Sequence, residues 1–182
     1  MNSSGWRAFP RRVVGAALLR SAVYEEVEAD RTASIQALVV VLIASLAAGI
    51  GIVTPARRDV AEVITHSVAA LALWVSWSMV TLEIGVHLLP DVQTRADVGQ
   101  LLRTTGFAAA PGLLRIAGVI PGVSRPVFVI SVVWMLAAMV VAVRQALDYS
   151  RTTRAIAVCV LGWLFAAGFA LLLGFWFARR VF

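Results

Sequence analysis

At 182 residues the chain is the length of one domain, and 60% of it is hydrophobic, above the roughly 45–50% of soluble domains. Charged residues make up 14%, and the net charge of +6 comes from 16 basic side chains that are all Arg. This composition selects an integral membrane protein, leaves no length for a separate soluble catalytic domain, and excludes a nucleic-acid-binding module, which requires a basic soluble face. The positive charge is expected to meet anionic lipid head groups, because guanidinium binds phosphate in a bidentate way.

Residues 1–31 are of mixed character. Val13, Val14, Ala17, Leu18, Ala22 and Val23 recur at helical spacing, and Arg11, Arg12 and Arg20 take other positions. The pattern predicts an amphipathic helix on the membrane surface, with those three arginines at lipid head groups. Acidic residues and the lack of a continuous apolar core argue against a secretory signal here. The acidic run from Glu25 to Asp30 suits the positive N-terminal end of the next helix.

Residues 32–180 read as one all-α membrane domain of five transmembrane helices, at about 33–53, 60–89, 98–120, 127–147 and 155–178. Each run approaches the roughly 20 apolar residues needed to cross the hydrocarbon core. Thr54-Pro55, Pro90-Asp91, Pro121-Gly122 and the polar stretch from Asp148 to Arg154 punctuate them. Pro111 removes a backbone donor in the third segment, which is expected to kink as a span or to re-enter. Phe175, Trp176 and Phe177 lie where an aromatic belt belongs. The arginines favour a cytoplasmic N-terminus and an external C-terminus, with Arg179 and Arg180 opposing. Pairs of small residues four apart, such as Ser45 and Gly49 or Gly162 and Ala166, permit close helix approach.

Glu83 and His87 are four apart and share a helix face, as a proton site or a structural pair. His66 lies near the other end of the same helix and reads as a bundle residue rather than a haem ligand. Trp74, Trp77, Trp134 and Trp163 read as core. Cys159 is single, so no disulfide and no Cys cluster is expected. No nucleophile elbow, phosphate loop or zinc helix is visible, and neither an enzymatic role nor a cofactor nor a metal is expected.

The third segment reads Leu101-Leu102-Arg103-Thr104-Thr105-Gly106-Phe107-Ala108-Ala109-Ala110-Pro111. It resembles the Gly-Tyr-x-x-x-Pro signature of the YIP family, membrane proteins named for interacting with Rab-type GTPases. Tyr24 to Gly51 looks like that family's approach to its first span, and Trp134 to Trp163 like the last hairpin of its bacterial members. The resemblance covers about residues 20–175. It implies a five-span bundle with a cytoplasmic N-terminus in a bacterial membrane, with Gly106, Phe107 and Pro111 as the family motif. Phe107 stands where the family usually has Tyr, and the family's Asp-Leu-x-Gly-Pro motif is replaced by Glu28-Ala29-Asp30-Arg31-Thr32. GTPase binding is therefore not carried over. The expected function is a non-enzymatic scaffold or accessory subunit, partnered by lipids and by other membrane proteins or itself. The alternative is a small transporter or lipid-handling protein using the kinked segment with Glu83 and His87.

Overall fold

A computed structural model describes residues 3–52, 59–91 and 97–181, with side chains placed for 6–51, 59–91 and 97–168. The described residues are all-α, with seven α-helices: α1 (Ser3–Ala17), α2 (Ser21–Ala29), α3 (Ala33–Ile52), α4 (Val60–Glu83), α5 (Val98–Ala108), α6 (Ser124–Ala146) and α7 (Thr152–Val181). α4 runs on into a π-helical turn, Ile84–Leu88, and α5 is followed by a 3₁₀ segment, Ala110–Val119.

The helix starts follow from the residues before them. Asp59 caps α4 by accepting from the Ala61 amide at 3.0 Å. Asp97 and Gln100 form a capping box at α5, the Asp97 amide donating to Gln100 Oε1 at 3.1 Å. Asp30 accepts from the Thr32 amide at 2.9 Å just before α3 begins. Gly122, with φ of +83°, makes the turn into α6.

Among the described residues, three helices are long and apolar enough to cross a membrane: Ala33–Gly51, Val60–Leu88 and Ser124–Ala146. Thr152–Gly168, the part of α7 with described side chains, is apolar but shorter than a span. Ile35, Leu38 and Leu46 of α3, Val129 and Val133 of α6, and Leu164 and Phe165 of α7 all point outward. Gln36, Ser78, Thr81, Thr104, Thr105 and Ser131 are buried instead. Apolar outside and polar within is the arrangement that lipid favours, where association depends on close packing and interhelical hydrogen bonds.

The third apolar segment changes helix type rather than bending as one α-helix. Pro111 has no amide to bond the Phe107 carbonyl, so the α-helical ladder stops. The chain tightens to three-residue bonds, with Gly112 N donating to Ala109 O at 2.8 Å. The 3₁₀ segment is 10 residues long, well beyond the usual three or four. It does not turn back. A Cβ on Gly106 would lie 2.8 Å from Ala37 Cβ, one on Gly112 3.4 Å from Ala44 Cβ, and one on Gly118 2.6 Å from Gly51 O. The segment therefore keeps pace with α3 in the same direction over almost its whole length. At 1.5 and 2.0 Å per residue, 98–119 extends about 36 Å, enough for a core about 30 Å thick.

The N-terminal region is two helices, not one surface helix. The chain reverses at Leu19, whose φ of 60° lies in the left-handed region. α1 and α2 fold back on each other as a hairpin, Gly15 against Val23, with Tyr24 Oη donating to Ala16 O at 3.0 Å. This hairpin docks on the bundle. Trp134 Nε1 donates to Ala17 O at 2.7 Å, and Phe9 meets Phe107 edge-on at 6.4 Å.

Candidate functional site

Polar side chains collect at the end of the bundle where the hairpin sits. Arg12, expected at lipid head groups, is only 5% exposed and is held inside. It donates to Glu26 at 2.9 Å, Asp30 at 2.8 Å and Gln36 at 3.1 Å, joining α1, the end of α2 and α3. The reason is charge pairing: a buried guanidinium is tolerated only with its donors satisfied. Arg11 stays exposed and pairs with Glu26 at 2.7 Å, while Arg20 is exposed beside the hairpin turn. Burial works against the charged Glu26, but the guanidinium groups of Arg11 and Arg12 outweigh it and hold the carboxyl below its ordinary range. Hydrogen bonds from Thr32, then the Arg12 pair, hold Asp30 low despite its partial burial.

Arg103, in the motif segment, is buried and clamps the hairpin. It donates to Val27 O at 3.2 Å and Glu28 O at 2.6 Å. These are last-turn carbonyls of α2, which no helical amide reaches and which a cation at the negative helix end suits. The Glu28 carboxyl is part-buried, and burial, with Asp148 as a nearby like charge, pushes it up to about 7 against the pull of Arg103.

On the far side of the same end, Tyr149 Oη is shared between Gly85 O at 3.0 Å and Leu89 O at 2.9 Å. It secures the inner face of the π turn, and burial pushes its phenol up to about 12. Glu83 and His87 occupy the outer face of that turn. Glu83 Oε2 and His87 Nδ1 are 3.1 Å apart, and their side chains are 70% and 67% exposed. Single π turns inside α-helices recur at functional positions. The structure thus joins Glu83 to His87 but leaves both outside any enclosed space. A cavity of about 380 Å³ lies between Ser21, Glu25, Arg144, Asp148 and Thr152 and includes neither. His66 is exposed on α4, roughly 25 Å from Glu83 at 1.5 Å per residue, so the three do not form one site. Among the described residues no three metal-ligating side chains cluster.

In the motif, Gly106 lets α5 press on α3 at Ala37, and Phe107 is fully buried against Phe9. Phe107 is buried in the apolar core with its ring against that of Phe9, which suits a ring without a hydroxyl. Gly106 to Pro111 act as packing between α3, α5 and the hairpin.

Two features were not legible from spacing. One is a buried polar seam across α4, α5 and α7. Ser78 Oγ and Thr105 Oγ1 are 3.4 Å apart, Trp74 Nε1 reaches Thr105 O at 3.4 Å, and Trp77 Nε1 and Thr81 Oγ1 face Gly162 without a described partner. The other is the outward stripe of α4. At 100° per residue, Glu62, Thr65, His66, Ala69, Ala72, Leu73, Ser76, Glu83 and His87 fall within about one third of the helix circumference, and all are exposed. The wheel position of Ser76 was the available signal, and only the burial pattern shows that its side faces away from the bundle.

No family model matches the chain, and no curated protein or solved structure matches it.

Proposed function

We propose that the chain is a non-enzymatic membrane scaffold that crosses a bilayer five times and assembles through the outward stripe of α4. The observation that carries this reading is the composition of that stripe. Only 11% of the α4 span is buried, against 56% for the α3 span. Left to lipid, Thr65, His66, Ser76 and Glu83 would face acyl chains, where ionisable groups are costly. Protein on that face removes the cost, and Ala69, Ala72 and Ser76 leave hollows beside Leu73 into which a second helix packs. The favoured occupant is a second copy. A twofold axis along the membrane normal sets identical residues of two α4 helices at equal depth. The stripe carries an acid and a histidine at each end, Glu62 with His66 and Glu83 with His87, so it complements itself.

Five crossings are supported by the third segment, which runs with α3 and returns the chain to the opposite side before α6. The distribution of arginines supports a cytoplasmic N-terminus and an external C-terminus, and the resemblance to bacterial YIP-type proteins supports a bacterial cytoplasmic membrane. The spacing of Gly106, Phe107 and Pro111 supports distant YIP-like descent. Transport is the weaker reading, because Glu83 opens onto the outer surface of the bundle rather than a cavity.

Disulfide trapping tests the assembly. In a Cys159→Ala background, Ala69→Cys and Ser76→Cys are expected to cross-link two copies in native membranes, while Val129→Cys and Val133→Cys on α6 stay monomeric. A covalent link to a different protein would make the chain an accessory subunit. Equal trapping on α4 and α6 would sink the reading. Reporter fusions at the two ends are expected on opposite sides of the membrane; both on one side would remove the five crossings.

A further inference from the structure

Arg115 lies in the 3₁₀ segment, at the end of the bundle opposite the hairpin. Its backbone abuts Gly51, the end of the α3 span. Its side chain runs along α6. Nε donates to Ser131 Oγ at 3.1 Å, and the guanidinium carbon sits 5.0 Å over the Phe128 ring. Ser131 is fully buried and spends its own proton on Phe128 O at 2.8 Å, so its oxygen is aimed at Arg115 as an acceptor. A guanidinium has five N–H donors, and this pose accounts for one. The chain has 10 acidic side chains, all among the described residues, and none pairs with Arg115. A neighbouring cavity of about 40 Å³, between Ser45, Trp74, Arg115 and Met135, has room for water and not for a phosphate group.

An ionised side chain at this depth without a counter-ion is costly, and such residues mark ligand sites. Ser131 is seven residues into α6, so the guanidinium lies within about 10 Å of that helix's start, near the edge of the hydrocarbon core. Leu114, Ile116 and Phe128 are exposed around it and offer an apolar wall. Arg125 is exposed three residues before Phe128 and so shares its face of α6, towards the membrane surface.

We infer that Arg115 binds the phosphate of an anionic phospholipid from the leaflet at this end of the bundle, with Arg125 as the second cation and the acyl chains against Leu114, Ile116 and Phe128. Guanidinium and phosphate match as a bidentate, charge-assisted pair. Cation–π contact with Phe128 and the bond to Ser131 hold the side chain in place before the lipid arrives.

The test is native mass spectrometry of the purified chain from nanodiscs of equimolar phosphatidylcholine and phosphatidylglycerol. The wild type is expected to retain one phosphatidylglycerol, and Arg115→Met to lose it, with affinity down about tenfold or more. Arg115→Lys keeps the charge without the bidentate fork and should fall between. If Arg115→Met does not fold, Ser131→Ala serves, expected to weaken retention while leaving the helical content unchanged. Equal lipid retention by wild type and variants would overturn the inference. So would displacement of the lipid by inorganic phosphate, which would make the site one for the free ion. Loss of a bound protein, with the lipid count unchanged, would mean that Arg115 pairs with a partner's carboxylate instead.

Discussion

Replacing Arg103 by Gln should undock the N-terminal hairpin while leaving the membrane bundle folded. Arg103 is 6% exposed and holds the Val27 and Glu28 carbonyls at 3.2 and 2.6 Å. Each hydrogen bond to a charged group contributes about 1.5–3 kcal/mol, and carbonyls left buried without a donor add to the loss. The two bonds share one side chain and are not additive, so about 3 kcal/mol is a fair figure for the change. That corresponds to roughly a hundredfold more opening of the hairpin. α2 is the element that feels it, because its last turn has no other donors for those carbonyls. Hydrogen exchange in nanodiscs reads this directly. Amides of 23–30 should lose about two orders of magnitude of protection, and those of α6 should not change. Protection at α2 that survives the substitution would refute the clamp. Uniform loss in α2 and α6 would show that Arg103 supports the whole bundle instead.

The same hairpin should respond to pH through Glu28, whose carboxyl sits at about 7 against an ordinary 4.5. A raised carboxyl means that the folded state binds the proton more tightly, so docking strengthens as pH falls from about 7 to about 4.5 and weakens again as pH rises through 7, by about 1–2 kcal/mol after solvent screening. Glu28→Gln should flatten this profile in a pH series of hydrogen exchange. Below the ordinary carboxylate range the sign reverses, since Glu26 and Asp30 are held low by their partners and lose their pairs on protonation. Gly106→Leu should cost about 1–3 kcal/mol by overpacking, because even a Cβ would stand 2.8 Å from Ala37 Cβ, and it should lower the melting temperature in detergent. Tyr149→Phe removes the donor shared by Gly85 O and Leu89 O and should cost about 1–2 kcal/mol, with faster exchange confined to the residues around the π turn.

Much of the architecture was written in hydropathy and punctuation. α3 begins at Ala33, as expected, and α4 and α6 fill their expected runs, because long apolar stretches bounded by Pro, Gly and Asp leave few alternatives. The N-terminal hairpin was not legible. Its reversal falls at Leu19, a residue type that carries no turn signal, and its main ion pairs join Arg12 to Glu26 and Asp30 across a fold that no helical period connects. The consequence was the misplacing of Arg12 at the lipid surface. Pro111 announced a break, and what the residues could not convey was its form. Gly112 and Gly118 allow so close a contact with α3 that a narrow 3₁₀ rod packs there. Glu83 and His87 were recognisable as a pair from their spacing, but their direction depends on which side of α4 meets α3 and α7. The lone guanidinium of Arg115 was equally hidden, because being without a carboxylate is a property of the folded neighbourhood.

The most direct measurement of the central claim is the mass of the assembly extracted from native membranes in lipid nanodiscs. A dimer is expected for the wild type, and monomers for a variant carrying Ala69→Leu and Ser76→Leu, whose bulk would hold two α4 helices apart. A wild type that is monomeric and brings no stoichiometric protein with it would contradict assembly through α4.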